Sequence, residues 1–286
     1  MNRRHIAKHD ARGEHAGDAS GGRRWRPAPL LYLSAAVHLG AAAATLARPR
    51  VWPWALGAVV ANHVALAAAG LWPRSRLLGP NWTRLPPQSG ARGGVAITID
   101  DGPDPDVTPQ VLAQLERYGA SASFFCVGEK VERYADLARE IVGRGHAVEN
   151  HSQRHRHNFS LLGPGGMREE ISHAQDSILR VTGSRPQFFR APAGLRNPFL
   201  DPVLTQLQLR LASWTRRGFD TVNGSADAVY RKLTSSLQAG DILLLHDGNA
   251  ARGQGGTPVI LDVLPRLLDA LSARRLQPVT LRSALS

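Results

Sequence analysis

Two adjacent carboxylates, Asp100 and Asp101, end the short β-branched run Val95-Ala96-Ile97-Thr98-Ile99 and are followed by a Gly102-Pro103 turn. Side by side, each raises the other's cost of ionising, and a nearby cation removes that cost. A solvated turn with Asp as turn former is the other reading. His151 and His155 stand four apart, so on a helical turn both imidazoles face one side at metal-ligand separation. Two His and a carboxylate from another strand end compose a zinc site with open positions for water and substrate. A solvated His-rich loop, which also holds His157, is the alternative. No Glu follows His151 in the zinc-protease arrangement, so a general base must come from elsewhere, and Asp100 is the candidate.

These residues need a scaffold that gathers them. After residue 94, short apolar runs alternate with amphipathic helical patterns. Strands are expected at Val95–Ile99, Ser123–Val127, Ala147–Glu149, Phe188–Arg190, Leu209–Trp214, Ile242–Leu245 and Pro278–Leu281. Helices are expected from Thr108-Pro109 and at Val131–Arg144, Gly166–Thr182, Ala226–Ala239 and Val259–Arg275. Repeated β-then-α units predict an α/β fold with a parallel sheet, open or closed into a barrel. Reactive groups in such folds collect beyond the carboxyl ends of strands. Asp100-Asp101, the segment from Glu149 to His155, Arg190, the Arg216-Arg217-Asp220 group and His246-Asp247 all stand there.

Residues 1–27 are basic, polar and Gly-rich, and read as a disordered tail. Pro29 to Ala47 and Val51 to Trp72 carry no Asp, Glu, Lys or Arg beyond the hairpin tip at Arg48-Pro49-Arg50, and each approaches the roughly 20 residues of a bilayer-crossing helix. Residues 28–73 are thus expected as a transmembrane hairpin; a signal peptide or buried core helices are the rivals. Trp52, Trp54 and Trp72 read as interface anchors. The flanks are more basic than the tip, which favours a cytoplasmic location for both ends. Residues 74–94, rich in Pro, Gly and Arg, read as a linker, and 95–286 as the catalytic domain.

Residues 95 to about 282 resemble the polysaccharide deacetylase family, also called the NodB homology or carbohydrate esterase 4 family. Five motifs carry the resemblance, in the family's order: Thr98-Ile99-Asp100-Asp101-Gly102-Pro103, His151-Ser152-Gln153-Arg154-His155, Arg190-Ala191-Pro192, Trp214 to Asp220, and Leu243-Leu244-Leu245-His246. The resemblance implies a distorted (β/α) barrel with fewer than eight repeats. It implies a divalent metal, most often Zn2+, held by Asp101, His151 and His155. In it Asp100 is the base toward the attacking water, Arg190 steadies that carboxylate, and His246 is the acid toward the leaving amine. Asp220 is the choice for orienting His246. A backbone N–H near Ala193 is a further donor for the developing oxyanion.

Departures mark what is particular to this chain. Ala193-Gly194 stands where the family has an aromatic, and Arg156 replaces a Pro. Arg216 and Arg217 fall where an acid is common; Arg there suits negative charge such as phosphate, with solvated loop arginines as the plain alternative. The net charge of +12, almost all of it Arg, accompanies no nucleic-acid module, so no nucleic-acid partner is expected. Cys126 is the sole cysteine, which excludes an intrachain disulfide and reads as a buried strand residue. His173 reads as structural. The expected activity is removal of an N-acyl group, foremost N-acetyl, from an amino sugar of a polysaccharide or lipid-linked glycan at the bacterial inner membrane. The alternatives are a deformylase or deacetylase of an undecaprenyl-linked sugar at the cytoplasmic face, and a catalytically silent glycan binder.

Overall fold

A strand covered on both sides must be apolar on both, and β1 (Gly94–Asp100) is buried at every residue. The computed structural model describes residues 23–285; the expected tail falls almost wholly outside them. Helices α1 (Pro29–Ala47) and α2 (Trp52–Leu71) precede α3 (Pro87–Ala91) and β1. Then follow α4 (Thr108–Arg117), β2 (Ser123–Cys126), α5 (Gly128–Arg133), α6 (Ala135–Gly143), β3 (Ala147–Asn150) and α7 (Pro164–Thr182). The chain continues through β4 (Phe188–Phe189), α8 (Leu200–Gln206), β5 (Arg210–Leu211), β6 (Arg216–Arg217) and α9 (Ala226–Thr234). It closes with β7 (Ile242–His246), α10 (Val259–Ala273) and β8 (Gln277–Val279).

The strands pair in parallel in the order β5-β4-β3-β2-β1-β7-β6, with β8 beside the start of β1. This is an α/β half-barrel: the parallel sheet that the alternation predicts, with the incomplete barrel that the resemblance implies. Strand periodicity divides the side chains between its two faces. Val95, Ile97 and Ile99 of β1, with Leu243 and Leu245 of β7, pack outward against α4, α9 and α10. Ala96, Ile242 and Leu244 face inward with Phe125, Phe188 and Trp214. Continuing the inward series by two brings Thr98 and Asp100 on β1 and His246 on β7 into the barrel mouth.

Residues 74–94 are not a loose linker. The half-barrel ends at β5 and β6, and this segment spans the seam between them. The Trp82 N–H donates to the Leu211 carbonyl, Thr215 Oγ1 donates to the Thr83 carbonyl at 2.6 Å, and the Leu85 N–H donates to the Gly240 carbonyl. Arg84 pairs with buried Asp241 at 3.1 Å. Its Pro and Gly content disguised a segment that covers a sheet edge.

Three other expectations are corrected. The helix expected at Val131–Arg144 breaks into α5 and α6 at Tyr134 (φ −118°, ψ 52°). Buried Val131, Ala138 and Ile141 keep a helical period through the break, so the pattern hides it. The strand expected at Leu209–Trp214 is confined to Arg210–Leu211, and Arg216–Arg217 forms a separate short strand against β7. Helix α9 stops at Thr234 rather than Ala239, and Arg216 takes up the freed Ser235 and Ser236 carbonyls.

Helices α1 and α2 are long and apolar enough to cross a membrane, with mean hydropathy 1.6 in each. Asn62 donates to Ser34 across the pair at 2.9 Å, and the His38 and His63 rings meet edge to face. Their outer faces leave Leu39, Leu46, Trp54 and Val64 more than half exposed, an apolar surface that soluble monomers rarely present. Trp52 and Trp72 lie near the two ends of α2 and are exposed as well.

Candidate metal centre and active site

The in-register pairing of β1 with β7 makes Asp100 and His246 direct neighbours across the sheet. Asp100 is 3% exposed and Arg190 1%. A carboxylate this buried must be neutralised by a partner or a proton. Arg190 supplies it, donating from one guanidinium nitrogen to Asp100 Oδ1 at 2.6 Å and to Thr98 Oγ1 at 2.9 Å. The rest of the guanidinium donates to the Ala212 and Ser213 carbonyls and lies 4.1 Å from the Phe125 ring centroid. The contacts to Thr98, Ala212 and Ser213 lock the guanidinium in place, and one of its nitrogens holds the carboxylate. Asp100 Oδ2 is left facing the cavity.

Asp101 turns away from its neighbour by adopting φ 73°. Its Oδ2 accepts from Asn249 Nδ2 at 3.1 Å, and Lys130 Nζ donates to its backbone carbonyl at 2.7 Å. Its Oδ1 is buried without a hydrogen-bond partner. Facing that oxygen are His151 Nε2 at 3.2 Å and His155 Nε2 at 3.1 Å. The three ligand atoms lie within 4.8 Å of one another.

The expected helical turn from 151 to 155 is not formed. Ser152 (φ 65°) and His155 (φ 47°) take left-handed backbone conformations in a loop, and that loop brings the rings together, with centroids 4.8 Å apart. His151 Nδ1 bonds the Arg190 carbonyl at 2.8 Å. A carbonyl only accepts, so Nδ1 carries a proton, and the neutral form of the ring turns its Nε2 lone pair inward.

The charge balance of the cluster suits a cation. Burial pushes Asp101 up, but the facing imidazole of His151 and the charges of His246 and His155 outweigh it, holding Asp101 well below the usual carboxylate range. Burial pushes His151 down while Asp100 and Asp101 raise it further, so in the bare protein it tends to hold a proton. Burial, aided by the charge of His151, lowers His155 to about 4. A divalent ion between one carboxylate and two neutral imidazoles would take over the work of that shared proton. The donor set fits zinc chemistry.

Across the cavity, His246 Nδ1 bonds Asp220 Oδ1 at 2.8 Å, and the other oxygen of Asp220 accepts the His246 backbone N–H at 2.7 Å. Burial lowers the His246 pKa, yet the hydrogen bond and charge of Asp220, then Asp100 and Asp101, carry it above the ordinary value. The imidazole therefore stays protonated to higher pH than a free histidine, with Nε2 toward the cavity.

The cavity, about 420 Å³, is lined by the two carboxylates, His151, His155, His246 and Asn249, with Arg154, His157, Ala193, Trp214 and Arg217 at its walls. All seven residues singled out from sequence converge here. Those missed are Asn249, whose only signal is its place three residues after His246, and Lys130. Asp247 was seen as a polar strand-end residue without a role. It is buried, its Oδ2 accepts from Thr108 Oγ1 at 2.5 Å, and it props the turn at Gly102. Cys126 is free and buried in β2, as expected. His173 is exposed on α7. A larger groove of about 600 Å³ between α1 and α2 is walled mostly by Ala, Gly and Val, with Arg48 and Trp54, and its lining has no acid, histidine or hydroxyl suited to hydrolysis.

The sequence profile described as polysaccharide deacetylase matches residues 88–212. A chitooligosaccharide deacetylase of Azorhizobium caulinodans is 32% identical over 197 residues, covering 66% of this chain and 93% of that protein. The chain belongs to the polysaccharide deacetylase family. Members of this family are hydrolases of N-acetyl amide bonds. A peptidoglycan-N-acetylglucosamine deacetylase of Bacillus cereus is 28% identical over 60% of this chain; the chain spans 62% of that relative's length. The crystal structure of the Bc1960 peptidoglycan N-acetylglucosamine deacetylase superposes with a TM-score of 0.64 at 25% identity, covering 71% of this chain and 92% of the other. A Bacillus anthracis protein described as a carbohydrate esterase 4 pseudoenzyme shares the fold at 20% identity, also with a TM-score of 0.64.

Proposed function

We propose that this protein is a metal-dependent deacetylase that hydrolyses the N-acetyl group of an amino sugar in a glycan, anchored by its N-terminal hairpin to the bacterial inner membrane. One observation carries the reading: an orphaned carboxylate oxygen and two imidazole nitrogens converge on one point, flanked by an arginine-held carboxylate and an aspartate-held imidazole. A silent, binding-only role has no use for this complete set.

Asp101, His151 and His155 are the residues that would hold the ion, for which Zn2+ is our assignment. When bound, such an ion polarises the amide carbonyl and acidifies water. Asp100 Oδ2 accepts the proton of the attacking water, and Arg190, bound to Oδ1 at 2.6 Å, holds the carboxylate in position for that task. His246, protonated and oriented by Asp220, donates a proton to the departing amine nitrogen, without which amine expulsion is slow. The base and the acid stand on adjacent strands, so both reach one bond.

Amine release from a short N-acetylated oligosaccharide tests the proposal. Chelation should abolish release and added Zn2+ should restore it; metal-loaded protein that releases no amine from any N-acylated sugar would sink the reading. The role of Asp220 has its own test. Protonated His246 is the active form of the acid, so kcat should fall as pH rises through its raised pKa. Asp220→Asn removes the charge that raises it. The alkaline limb of the kcat profile should then move to lower pH, with kcat near neutrality down about 10²-fold.

A lipid-linked substrate at the cytoplasmic face is the second reading, favoured by how the hairpin meets the pocket. The Arg196 N–H donates to the Gly70 carbonyl at the end of α2. A methyl group placed on Gly194 would meet Trp214 at 2.6 Å and Pro73 at 2.8 Å. The loop walling the cavity thus rests on the chain just leaving α2. If the hairpin spans the bilayer, the cavity opens close to its surface. The basic flanks of the hairpin favour the cytoplasmic side for that surface.

A further inference from the structure

The paired arginines Arg216 and Arg217 look equivalent in sequence, but β6 sends adjacent side chains to opposite faces. Arg216 is spent on structure: its Nε meets Asp241 Oδ2 at 2.5 Å, and its other nitrogens donate to the Ser235 and Ser236 carbonyls. Arg217, in register with Leu244, lines the catalytic cavity.

Among the described residues Arg217 meets no carboxylate. Its guanidinium carbon lies 5.5 Å from the Trp214 ring centroid and 4.9 Å from that of Phe219. Its Nε is buried and lacks a hydrogen-bond partner. The other groups of the cavity are accounted for. Asp100 is held by Arg190, and Asp101 belongs to the metal cluster. Arg154, on the far wall, is balanced by Glu129 at 3.3 Å and Glu170 at 3.4 Å, and His157 stacks edge to face on His155. What remains is one uncompensated, aromatic-held guanidinium facing the substrate space. Stacking fixes its plane without using its donors, a form in which Arg recognises an oxyanion with two parallel hydrogen bonds.

We propose that Arg217 reads an anionic group, phosphate or carboxylate, carried by the amino sugar that this site deacetylates. The proposal rests on the deacetylase reading for its sugar, and on Arg217 alone for its charge. It makes the substrate an anionic N-acetylated amino sugar rather than a neutral chitin-like chain. Both sources of the oxyanion are compatible with one guanidinium, and they are separable by experiment.

The test compares N-acetylglucosamine, N-acetylglucosamine 1-phosphate and N-acetylmuramic acid on full-length, Zn2+-loaded protein, by equilibrium binding and by amine release. The wild type should bind at least one of the two anionic sugars about tenfold or more tightly than the neutral one. Arg217→Gln should collapse that ratio toward one, and Arg217→Lys, which keeps charge but loses the fork, should retain part of it. Phosphate binding directly to zinc raises the ratio in wild type and variant alike, so the comparison between them isolates Arg217. Preference for the phosphate arm identifies a sugar phosphate, and for the muramic arm a carboxylate. Equal ratios in wild type and Arg217→Gln overturn the proposal and leave Arg217 a stacking residue. Binding that discriminates charge without any amine release upholds Arg217 while refuting the deacetylase reading, so the two failures are distinct.

Discussion

Asp100→Asn is expected to lower kcat by about 10³-fold, within the 10²–10⁴ range of a lost general base. The substitution keeps the shape of the side chain and removes the one group in the cavity placed to take a proton from water. Arg190 makes the effect large. A buried guanidinium 2.6 Å from Oδ1 fixes the carboxylate with Oδ2 toward the cavity, so the substitution removes a base already held in place. The same contact has a cost in stability. Loss of one partner of a buried ion pair leaves the other charge uncompensated, typically about 3–5 kcal/mol, and Asn, which still accepts from Arg190, should keep part of that. The measurement is steady-state amine release alongside a thermal melt and a zinc titration. Loss of kcat with wild-type zinc affinity places Asp100 in the chemical step; loss of zinc as well would make it a ligand instead.

The second large effect is at His151. His151→Ala should weaken zinc binding by at least about 100-fold, the upper range for disturbing even an outer-shell partner of a metal ligand, and activity should vanish at stoichiometric zinc. His151 is nearly inaccessible and its ring is oriented by the Arg190 carbonyl, so the ligand it offers is held in place before any ion binds. Competition against a chromophoric chelator measures the affinity directly, independent of turnover. A second effect follows from charge. In the bare protein His151 tends to hold a proton against Asp100 and Asp101, so removing the imidazole leaves two facing carboxylates with less compensation. The variant should therefore be less stable than the wild type without metal. Undiminished zinc affinity in His151→Ala would exclude this histidine from the centre.

The two effects share a structural origin in Arg190. Its side chain holds the base and its backbone carbonyl orients a metal ligand, so one buried residue sets both halves of the site. The motif Arg-Ala-Pro signalled the first role. The second depends on a carbonyl, which carries no sequence identity and is visible only once β3 and β4 lie side by side.

Much of this protein was fixed locally. The alternation of short β-branched runs with amphipathic helices determined a parallel α/β sheet, because hydrophobic period and turn residues act over a few positions. Strand ends then located the chemistry, since Asp100, Arg190 and His246 follow directly from where apolar runs stop. The two apolar helices were equally legible, by length and composition alone. Other features depended on partners far along the chain. The break at Tyr134 preserves the helical period and so leaves no trace in it. Residues 74–94 look like a linker because their pairing partners, Leu211, Thr215 and Gly240, lie more than a hundred positions away. The loop carrying His151 and His155 reaches metal spacing through left-handed backbone at Ser152 and His155, not through the helix that their spacing implied. Arg216 and Arg217, adjacent and identical in type, part company only because β6 is a strand and Asp241 waits on one side of it. Sequence determined which groups this protein brings to its site; tertiary structure decided which of them are spent on the fold and which remain free to meet a substrate.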